Sequence, residues 1–281
     1  MVNFNGKLLA DGTAFLAESN RALKYGDAIF ETIRVVNKKI IFWEDHYLRL
    51  MASMRILRMD IPMNFTMEFL EESILTTINA NGLALKTVRI RFTVFRNGGG
   101  LYTPENHDIS YIIEAAPMSN PFYKLSSEPY EVELFKDHWV NTGLLSTLKS
   151  ANKLINVLAG IFADENGYDN CLLLNHEKNV VEALNGNLFV VSGSTVKTPP
   201  LTDGCLNGVL RKQLIKMINK NPDLHFEESS VSPFELQKAD ELFITNVISG
   251  IQPVTKYRKK SFGNLISTKL VQDLNVFIRI S

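Results

Sequence analysis

The stretch Ser146-Thr147-Leu148-Lys149-Ser150-Ala151-Asn152-Lys153-Leu154 decides the interpretation of this chain, because it places an amine just ahead of an amphipathic helix. A lysine by itself is usually a solvated surface residue. Three groups elsewhere change that expectation: Glu182, a glycine-opened helix at Leu206-Asn207-Gly208, and the arginine of His46-Tyr47-Leu48-Arg49-Leu50. An amine, a carboxylate, a helix amino end and a guanidinium are together what a phosphorylated aldehyde needs for binding.

Composition excludes several classes of protein. The chain has 281 residues, enough for two modest domains, and its 45% hydrophobic and 21% charged residues are typical of a chain that folds throughout. Thirty basic residues balance thirty acidic ones, so we expect neither nucleic acid nor an anionic membrane as a partner. No apolar run approaches the roughly 20 residues that cross a bilayer.

The sequence contains neither an export signal nor a metal-binding motif. The first residues contain neither a charged leader nor a signal-peptide core, which predicts a cytoplasmic protein. Cys171 and Cys205 lack metal-type spacing and are expected to be small core residues. The five histidines form no His-x-x-x-His pair, so no metal site is predicted and a metal hydrolase is set aside.

Periodicity in the first half predicts antiparallel strands mixed with two helices. A turn at Asn37-Lys38 joins two of the strands, and Thr66 is the expected cap of the second helix. The predicted elements are a hairpin turn region at 6–13, strands at 28–36, 39–43, 88–95 and 110–116, and helices at 44–58 and 66–81.

The second half predicts a strand meander flanked by helices. The proline-rich stretch 117–121 is the best linker candidate. The predicted organisation is therefore a small N-terminal α+β domain over 1–117, a linker over 118–126, and a larger cofactor-binding domain over 127–281 with a β-rich core. Its predicted elements are strands at 130–135, 171–174, 180–183, 188–191 and 241–245, and helices at 152–166, 207–220, 233–238 and 265–278.

Six motifs, in order, carry a resemblance to a known family. With them the chain resembles the class IV aminotransferases, the fold type IV pyridoxal phosphate family of branched-chain aminotransferases, D-amino acid aminotransferases and aminodeoxychorismate lyases. The resemblance covers nearly the whole length and implies a two-domain fold. The motifs are Tyr25-Gly26-Asp27-Ala28-Ile29-Phe30-Glu31-Thr32-Ile33-Arg34, His46-Tyr47-Leu48-Arg49-Leu50, Leu148-Lys149-Ser150-Ala151-Asn152, 182–189, Leu206-Asn207-Gly208-Val209, and 245–250 with Pro253.

The resemblance implies a role for each cofactor-binding residue. Lys149 is the expected catalytic residue, because its amine holds the cofactor aldehyde as a Schiff base and then moves the proton. Glu182 is expected to pair with the pyridine nitrogen, and Arg49 to bind the phosphate. The remaining predicted cofactor-binding residues are Asn187, Gly208, Val209, Leu210, Thr245 and Asn246.

Substrate identity is less well determined by the motifs. Arg96 resembles an arginine that D-amino acid aminotransferases and the lyases carry, and could bind a substrate carboxylate. Phe30 stands where D-amino acid aminotransferases have a tyrosine, and Lys153 about where branched-chain enzymes have one. Leu101 occupies the region where many lyases place a second arginine. Phe30, Arg34 and Arg96 are the predicted substrate-binding residues.

Two activities therefore remain open. The first is transamination between an amino acid, with branched-chain amino acids among the candidates, and a 2-oxo acid such as 2-oxoglutarate. The alternative is 4-amino-4-deoxychorismate lyase, which releases pyruvate and 4-aminobenzoate, and towards which Lys153 and the Thr245-Asn246 pair lean. A non-catalytic descendant is disfavoured because Lys149, Glu182 and Arg49 are all present. The resemblance also implies a homodimer in which the neighbouring subunit completes the cofactor pocket.

Overall fold

The computed structural model describes residues 1–280, with side chains through residue 279. The chain divides into two compact units. The first contains Met1–Pro121 together with Lys149–Asn152, and the second contains Phe122–Leu148 and the chain from Lys153 onward. The chain thus returns briefly to the first unit at the lysine motif, a crossing that the sequence pattern alone did not anticipate.

The first unit is a six-stranded sheet in the order β2-β1-β6-β5-β3-β4, with every neighbouring pair antiparallel. Helix α2 packs on β3, and α3 packs on β6. Buried aliphatic side chains such as Ile33, Met54 and Ile74 form the core. The elements are β1 (Val2–Phe4), β2 (Lys7–Leu9), α1 (Arg21–Tyr25), β3 (Ala28–Val36), β4 (Lys39–Ile40), α2 (Trp43–Ile56), α3 (Met67–Ala80), β5 (Thr87–Arg96) and β6 (Ile109–Met118).

Local chemistry accounts for most of these boundaries. Asn37 and Lys38 take positive φ values of 49° and 64°, as a tight hairpin turn between β3 and β4 requires. The predicted strand over 39–43 is wrong beyond Ile40, because Phe42 adopts a left-handed conformation and α2 begins at Trp43. The predicted cap of α3 is confirmed: the Thr66 hydroxyl accepts the amide of Phe69 at 3.2 Å.

The second unit contains two five-stranded sheets. Their orders are β12-β11-β10-β13-β14 and β16-β15-β7-β8-β9. Short strands after the meander were not predicted, since two to five residues leave little periodicity to detect. The elements are β7 (Glu131–Val140), α4 (Leu154–Glu165), β8 (Asn170–Asn175), β9 (Val180–Ala183), β10 (Asn187–Ser192), β11 (Thr195–Thr198), α5 (Val209–Lys220), β12 (His225–Glu228), α6 (Pro233–Lys238), β13 (Glu241–Asn246), β14 (Gly250–Val254), β15 (Lys256–Tyr257), β16 (Lys260–Ser261) and α7 (Leu265–Ile280).

The cysteines lie in the interior of the second unit. Both are buried, and burial raises the pKa of the Cys171 thiol to about 11 and that of Cys205 to about 12, which disfavours the reactive thiolate. Among residues 1–280, no helix is long and apolar enough to span a membrane. Across the same residues, no cluster of His, Cys, Asp and Glu could hold a metal ion.

Candidate active site

The backbone around Lys149 is hydrogen-bonded to strand β3 of the first unit. The amide of Phe30 donates to the Lys149 carbonyl at 2.8 Å, and the amide of Ala151 donates to the Ala28 carbonyl at 2.8 Å. Strand β4 pairs only with the far end of β3, at Val35 and Val36, so the segment after Lys149 occupies an edge that β4 leaves open. Main-chain hydrogen bonds therefore fix where the lysine side chain starts.

The Lys149 amine lies over an aromatic ring. Its Nζ is 4.6 Å from the centroid of Phe30, and the Arg91 guanidinium carbon is 3.9 Å from the same centroid. Cation–π attraction holds both charges at this ring. Phe30 was predicted as a site residue, whereas Arg91 was not, because its place beside Phe30 depends on the register between β3 and β5.

Arg49 belongs to a buried charge network. Its Nε donates to Glu31 Oε1 at 2.8 Å and its Nη2 to Glu31 Oε2 at 2.5 Å, a two-point pairing. His46 Nδ1 lies 2.7 Å from the same Oε2. Glu31 is adjacent to Phe30 in β3, so it projects from the opposite face, where α2 packs.

The network has a definite protonation pattern. Burial by itself raises the pKa of Glu31, but Arg49 and His46 outweigh burial and lower it from 4.5 to about 2. Burial also lowers the pKa of His46, against the pull of Glu31. A charged Glu31 beside a neutral His46 that donates through Nδ1 is therefore the state at neutral pH. His46 Nε2 is then a buried acceptor with no hydrogen-bond partner among the described residues.

The structure places Arg96 in a set of internal hydrogen bonds. Its Nε donates to Asp27 at 2.9 Å, and Nη2 donates to the Leu57 carbonyl at 2.6 Å. Its Nη1 donates to the Arg58 carbonyl at 3.0 Å and lies 2.9 Å from His107 Nδ1. The side chain predicted to bind a substrate carboxylate is thus buried and directed at protein acceptors.

Arg34, the third predicted substrate-binding residue, is also buried. Its Nη2 donates to the carbonyl of Asn120. In the sheet Arg34 lies directly opposite Arg89 of β5, and both share the face of Phe30 and Arg91.

In the second unit, Glu182 at the end of β9 is joined to the segment that precedes α5. Its Oε2 accepts the amide of Leu206 at 2.8 Å. Asn187 bonds to the same segment, since its Nδ2 donates to the Leu206 carbonyl at 2.8 Å. Asn187 also lies directly opposite Thr245 in the pairing of β10 with β13. The structure therefore brings together Glu182, Asn187, Thr245 and the start of α5, all of which are predicted cofactor-binding residues.

The start of α5 requires glycine. A Cβ on Gly208 would lie 2.0 Å from Asn187 Oδ1, so a larger residue would collide with that side chain. No side chain caps the helix at Gly208, and the first-turn amides of Val209 and Leu210 lack intrahelical acceptors. Such an amino end is suited to a phosphate.

Thr245 and Asn246 play different parts at the end of β13. The Thr245 hydroxyl is buried and has no hydrogen-bond partner among the described residues. The Asn246 Oδ1 accepts the amides of Ile248 at 3.0 Å and Ser249 at 2.9 Å, which closes the turn into β14. The unsatisfied hydroxyl, the amide donors and the Glu182 carboxylate fit a phosphorylated pyridine.

Comparison with known proteins identifies the family. The model of the family described as Amino-transferase class IV matches residues 28–257. The chain belongs to the class IV aminotransferase family. Its architecture is that of the fold type IV enzymes, as predicted, and its cofactor is pyridoxal phosphate.

Relatives of this class IV aminotransferase have three different activities. A D-alanine aminotransferase of Bacillus licheniformis is 25% identical over 268 residues, covering 94% of this chain and 90% of the relative. A branched-chain aminotransferase of Thermoproteus uzoniensis, solved with norvaline, has a TM-score of 0.88 at 26% identity, over 99% of this chain and 94% of the other. A 4-amino-4-deoxychorismate lyase of Pseudomonas aeruginosa has a TM-score of 0.80 at 25% identity, over 98% and 97%. The family thus establishes a pyridoxal phosphate enzyme.

Proposed function

We propose that this protein is an aminotransferase that moves an amino group between an amino acid, with branched-chain amino acids as the first candidates, and a 2-oxo acid such as 2-oxoglutarate. The observation that carries the proposal is the anchoring of Lys149 by the Phe30 amide, which holds its amine over the Phe30 ring. This hydrogen bond involves the main chain of Lys149 and not its amine. The lysine therefore stays in position when a substrate amine replaces its own amine on the cofactor.

Each residue has a defined task in this proposal. Bound pyridoxal phosphate supplies the electron-withdrawing ring that makes the substrate α-carbon acidic. The Lys149 amine would hold the cofactor at its aldehyde carbon, and it would move a proton at the substrate α-carbon. Glu182 holds a proton on the pyridine nitrogen. Its contact with the Leu206 amide orients one carboxylate oxygen for that role.

The phosphate is assigned to one charged side chain and several neutral donors. Arg49 supplies the permanent charge, and the network with Glu31 and His46 holds its guanidinium in one orientation. The first-turn amides of Val209 and Leu210 and the Thr245 hydroxyl supply neutral donors. The hydrogen bond from Asn187 to the Leu206 carbonyl fixes the segment that leads into the first turn of α5.

The lyase is the second candidate, because one observation favours it. Lys153 is half-buried at the residue that precedes α4, where a second amine could act on a substrate that loses pyruvate. In the Thr245-Asn246 pair, which also leans towards the lyase, the Asn246 side-chain oxygen is taken up by the turn between β13 and β14. We therefore rank transamination first.

We also propose a homodimer. Leu154, Val157 and Ile161 follow helical spacing along α4 and are exposed by 71%, 55% and 50%. An exposed apolar stripe on a helix is typical of a subunit contact, and two-fold dimers are the commonest assemblies. Sedimentation of the purified protein at several concentrations tests this assignment, and a monomer at all of them would contradict it.

Product analysis on cofactor-loaded protein tests the reaction. One arm supplies single amino acids with 2-oxoglutarate, and the other supplies aminodeoxychorismate alone. Glutamate formed with a particular amino donor supports the aminotransferase and names its substrate class. Pyruvate and 4-aminobenzoate formed without glutamate would overturn it in favour of the lyase.

A further inference from the structure

The turn between β13 and β14 is held by a tyrosine from the start of the second unit. The Tyr123 hydroxyl donates to the Val247 carbonyl at 2.6 Å. Both residues are buried, and Tyr123 is only 4% exposed. A buried carbonyl without a partner is costly, so this hydrogen bond fixes the direction in which the Val247 carbonyl points.

The Tyr123 ring fits against the residue that ends the same turn. Gly250 has a φ of 78°, and a Cβ on it would lie 2.6 Å from Tyr123 Cδ1 and 3.0 Å from Tyr123 Cβ. The lack of a side chain at Gly250 thus makes room for the ring. Tyr123 therefore contacts the turn at both ends, by its hydroxyl at Val247 and by its ring at Gly250.

The main chain of Tyr123 is held as well. Its amide donates to Asn275 Oδ1 at 3.0 Å, and Asn275 Nδ2 donates to the Tyr123 carbonyl at 2.8 Å. Asn275 belongs to α7, a helix that packs on β13 and β14. The position of the tyrosine is therefore set by contacts within the second unit.

The turn supported in this way follows the hydroxyl assigned to the cofactor phosphate. Thr245 lies two residues before Val247, and its buried hydroxyl has no hydrogen-bond partner among residues 1–279. The peptide group after Val247 is held on both sides, because its amide donates to Asn246 Oδ1 at 3.0 Å and its carbonyl accepts Tyr123. If the carbonyl lost that partner, the turn would move to expose it to water and would carry the end of β13 with it.

We propose that Tyr123 is a positioning residue for the cofactor phosphate, acting through the β13–β14 turn on the Thr245 hydroxyl. The inference rests on the assignment of Thr245 to the phosphate in the proposed function. Tyr123 lies in the segment predicted as a linker over 118–126, so no motif identified it. The hydrogen bond that gives it this role joins residues 124 positions apart in the chain.

Ligand titration tests the proposal without turnover. Pyridoxal and pyridoxal phosphate differ only in the phosphate, so the ratio of their affinities for the cofactor-free protein measures the phosphate site alone. Tyr123→Phe keeps the ring at Gly250 and removes the hydroxyl. It should weaken pyridoxal phosphate by about 5- to 20-fold, as expected for one unsatisfied buried polar group, and leave pyridoxal unchanged. The absorbance of the bound aldehyde measures both affinities.

A double-mutant cycle identifies the route of the effect. Thr245→Val removes the hydroxyl, keeps the branched side chain, and should lower the affinity ratio by itself. Adding Tyr123→Phe to Thr245→Val should lower the ratio little further, because residues that act through one group are not additive. Fully additive losses would overturn the proposal. So would an equal weakening of both ligands in Tyr123→Phe, which is the result expected of a merely structural role.

Tyr130→Phe is the matched control, because the Tyr130 hydroxyl is also hydrogen-bonded within the second unit, where it accepts Asn170 Nδ2 at 2.9 Å. It should leave the affinity ratio unchanged, and thermal unfolding verifies that each variant is folded. If Tyr123→Phe does not fold, Asn275→Ser takes its place, because it releases the main chain of Tyr123. An unchanged ratio in Asn275→Ser would then overturn the proposal.

The result is separable from the identity of the reaction. An aminotransferase and a lyase would give the same titrations, so product analysis and this test fail independently. An unchanged ratio in Thr245→Val would remove the phosphate assignment and this inference with it. An unchanged ratio in Tyr123→Phe alone would remove only this inference.

Discussion

Buried carboxylates are held by different partners in the two units. In the first unit, Glu31 is bound by the side chains of Arg49 and His46. In the second, Glu241 accepts the backbone amides of Ile266 at 2.6 Å and Ser267 at 3.1 Å, at the start of α7. The Ser267 hydroxyl also donates to Glu241, at 3.0 Å. The first arrangement is a network of side-chain charges, whereas the second uses neutral donors.

The difference has an energetic consequence. When one member of a buried charge network is removed, its partner is left as an uncompensated charge. When a carboxylate that accepts backbone amides is removed, the loss is confined to the end of one helix. The first unit should therefore be the more sensitive to single substitutions and to acid.

Replacing the reacting amine should have the largest effect of all. Lys149→Ala should lower turnover by about 10³-fold or more, because positioned proton transfer alone contributes about 10²–10⁴-fold. It should also abolish the absorption band of the lysine-bound cofactor. Lys86→Ala, at an exposed lysine of the same unit, should keep both. Normal turnover by Lys149→Ala would refute the assignment of Lys149.

Glu31→Gln should lower the free energy of unfolding more than Glu241→Gln does. It leaves the Arg49 charge without its buried partner, which typically costs about 3–5 kcal/mol. Urea denaturation followed by circular dichroism measures the loss. A loss no greater than that of Glu241→Gln would contradict the distinction between the two units.

Acid should weaken the first unit through the same carboxylate. The folded-state pKa of Glu31 is about 2 against an ordinary value of 4.5, so the stabilisation is complete above about pH 4.5 and is lost as the pH falls towards 2. A shift of this size corresponds to about 3 kcal/mol. The difference in unfolding free energy between the parent and Glu31→Gln should therefore shrink from about pH 6 to about pH 3. A constant difference would argue against a charged Glu31.

Glu182→Gln should affect the reaction more than the fold. The amide can still accept the Leu206 hydrogen bond but cannot stabilise a protonated pyridine, so turnover should fall by about 10- to 100-fold. Cofactor binding, followed by absorbance, should persist. Glu177→Gln, at an exposed residue nearby in sequence, is the control. An unchanged rate would mean that another group protonates the ring.

Glu241→Gln should have the smallest effect. The variant keeps one acceptor oxygen for the start of α7 and loses a charge-assisted cap, which costs about 1–2 kcal/mol. Hydrogen exchange should locate the change in the first turn of α7, at Ile266 and Ser267. Faster exchange throughout the second unit would indicate a wider role for Glu241.

Local signals were read correctly wherever a few neighbouring residues decide the structure. Thr66 caps α3, Gly208 opens α5, and the strand at 180–183 has the predicted bounds. Each depends on backbone conformation or on contacts within one or two turns. The prediction of a strand over 39–43 was wrong beyond Ile40, because apolar residues occur equally well in a strand and at the start of a helix.

Tertiary contacts decided the rest of the candidate site. The sequence by itself determined the family motifs, the choice of Lys149 and the glycine at the start of α5, since these are written in adjacent residues. Only the fold could place Arg91 at Phe30 and commit Arg96 to Asp27, because strand register and helix packing set both contacts. The physical reason is that a charged side chain has no intrinsic partner. Its partner is whichever group the folded chain brings within a few ångströms, often from far along the sequence.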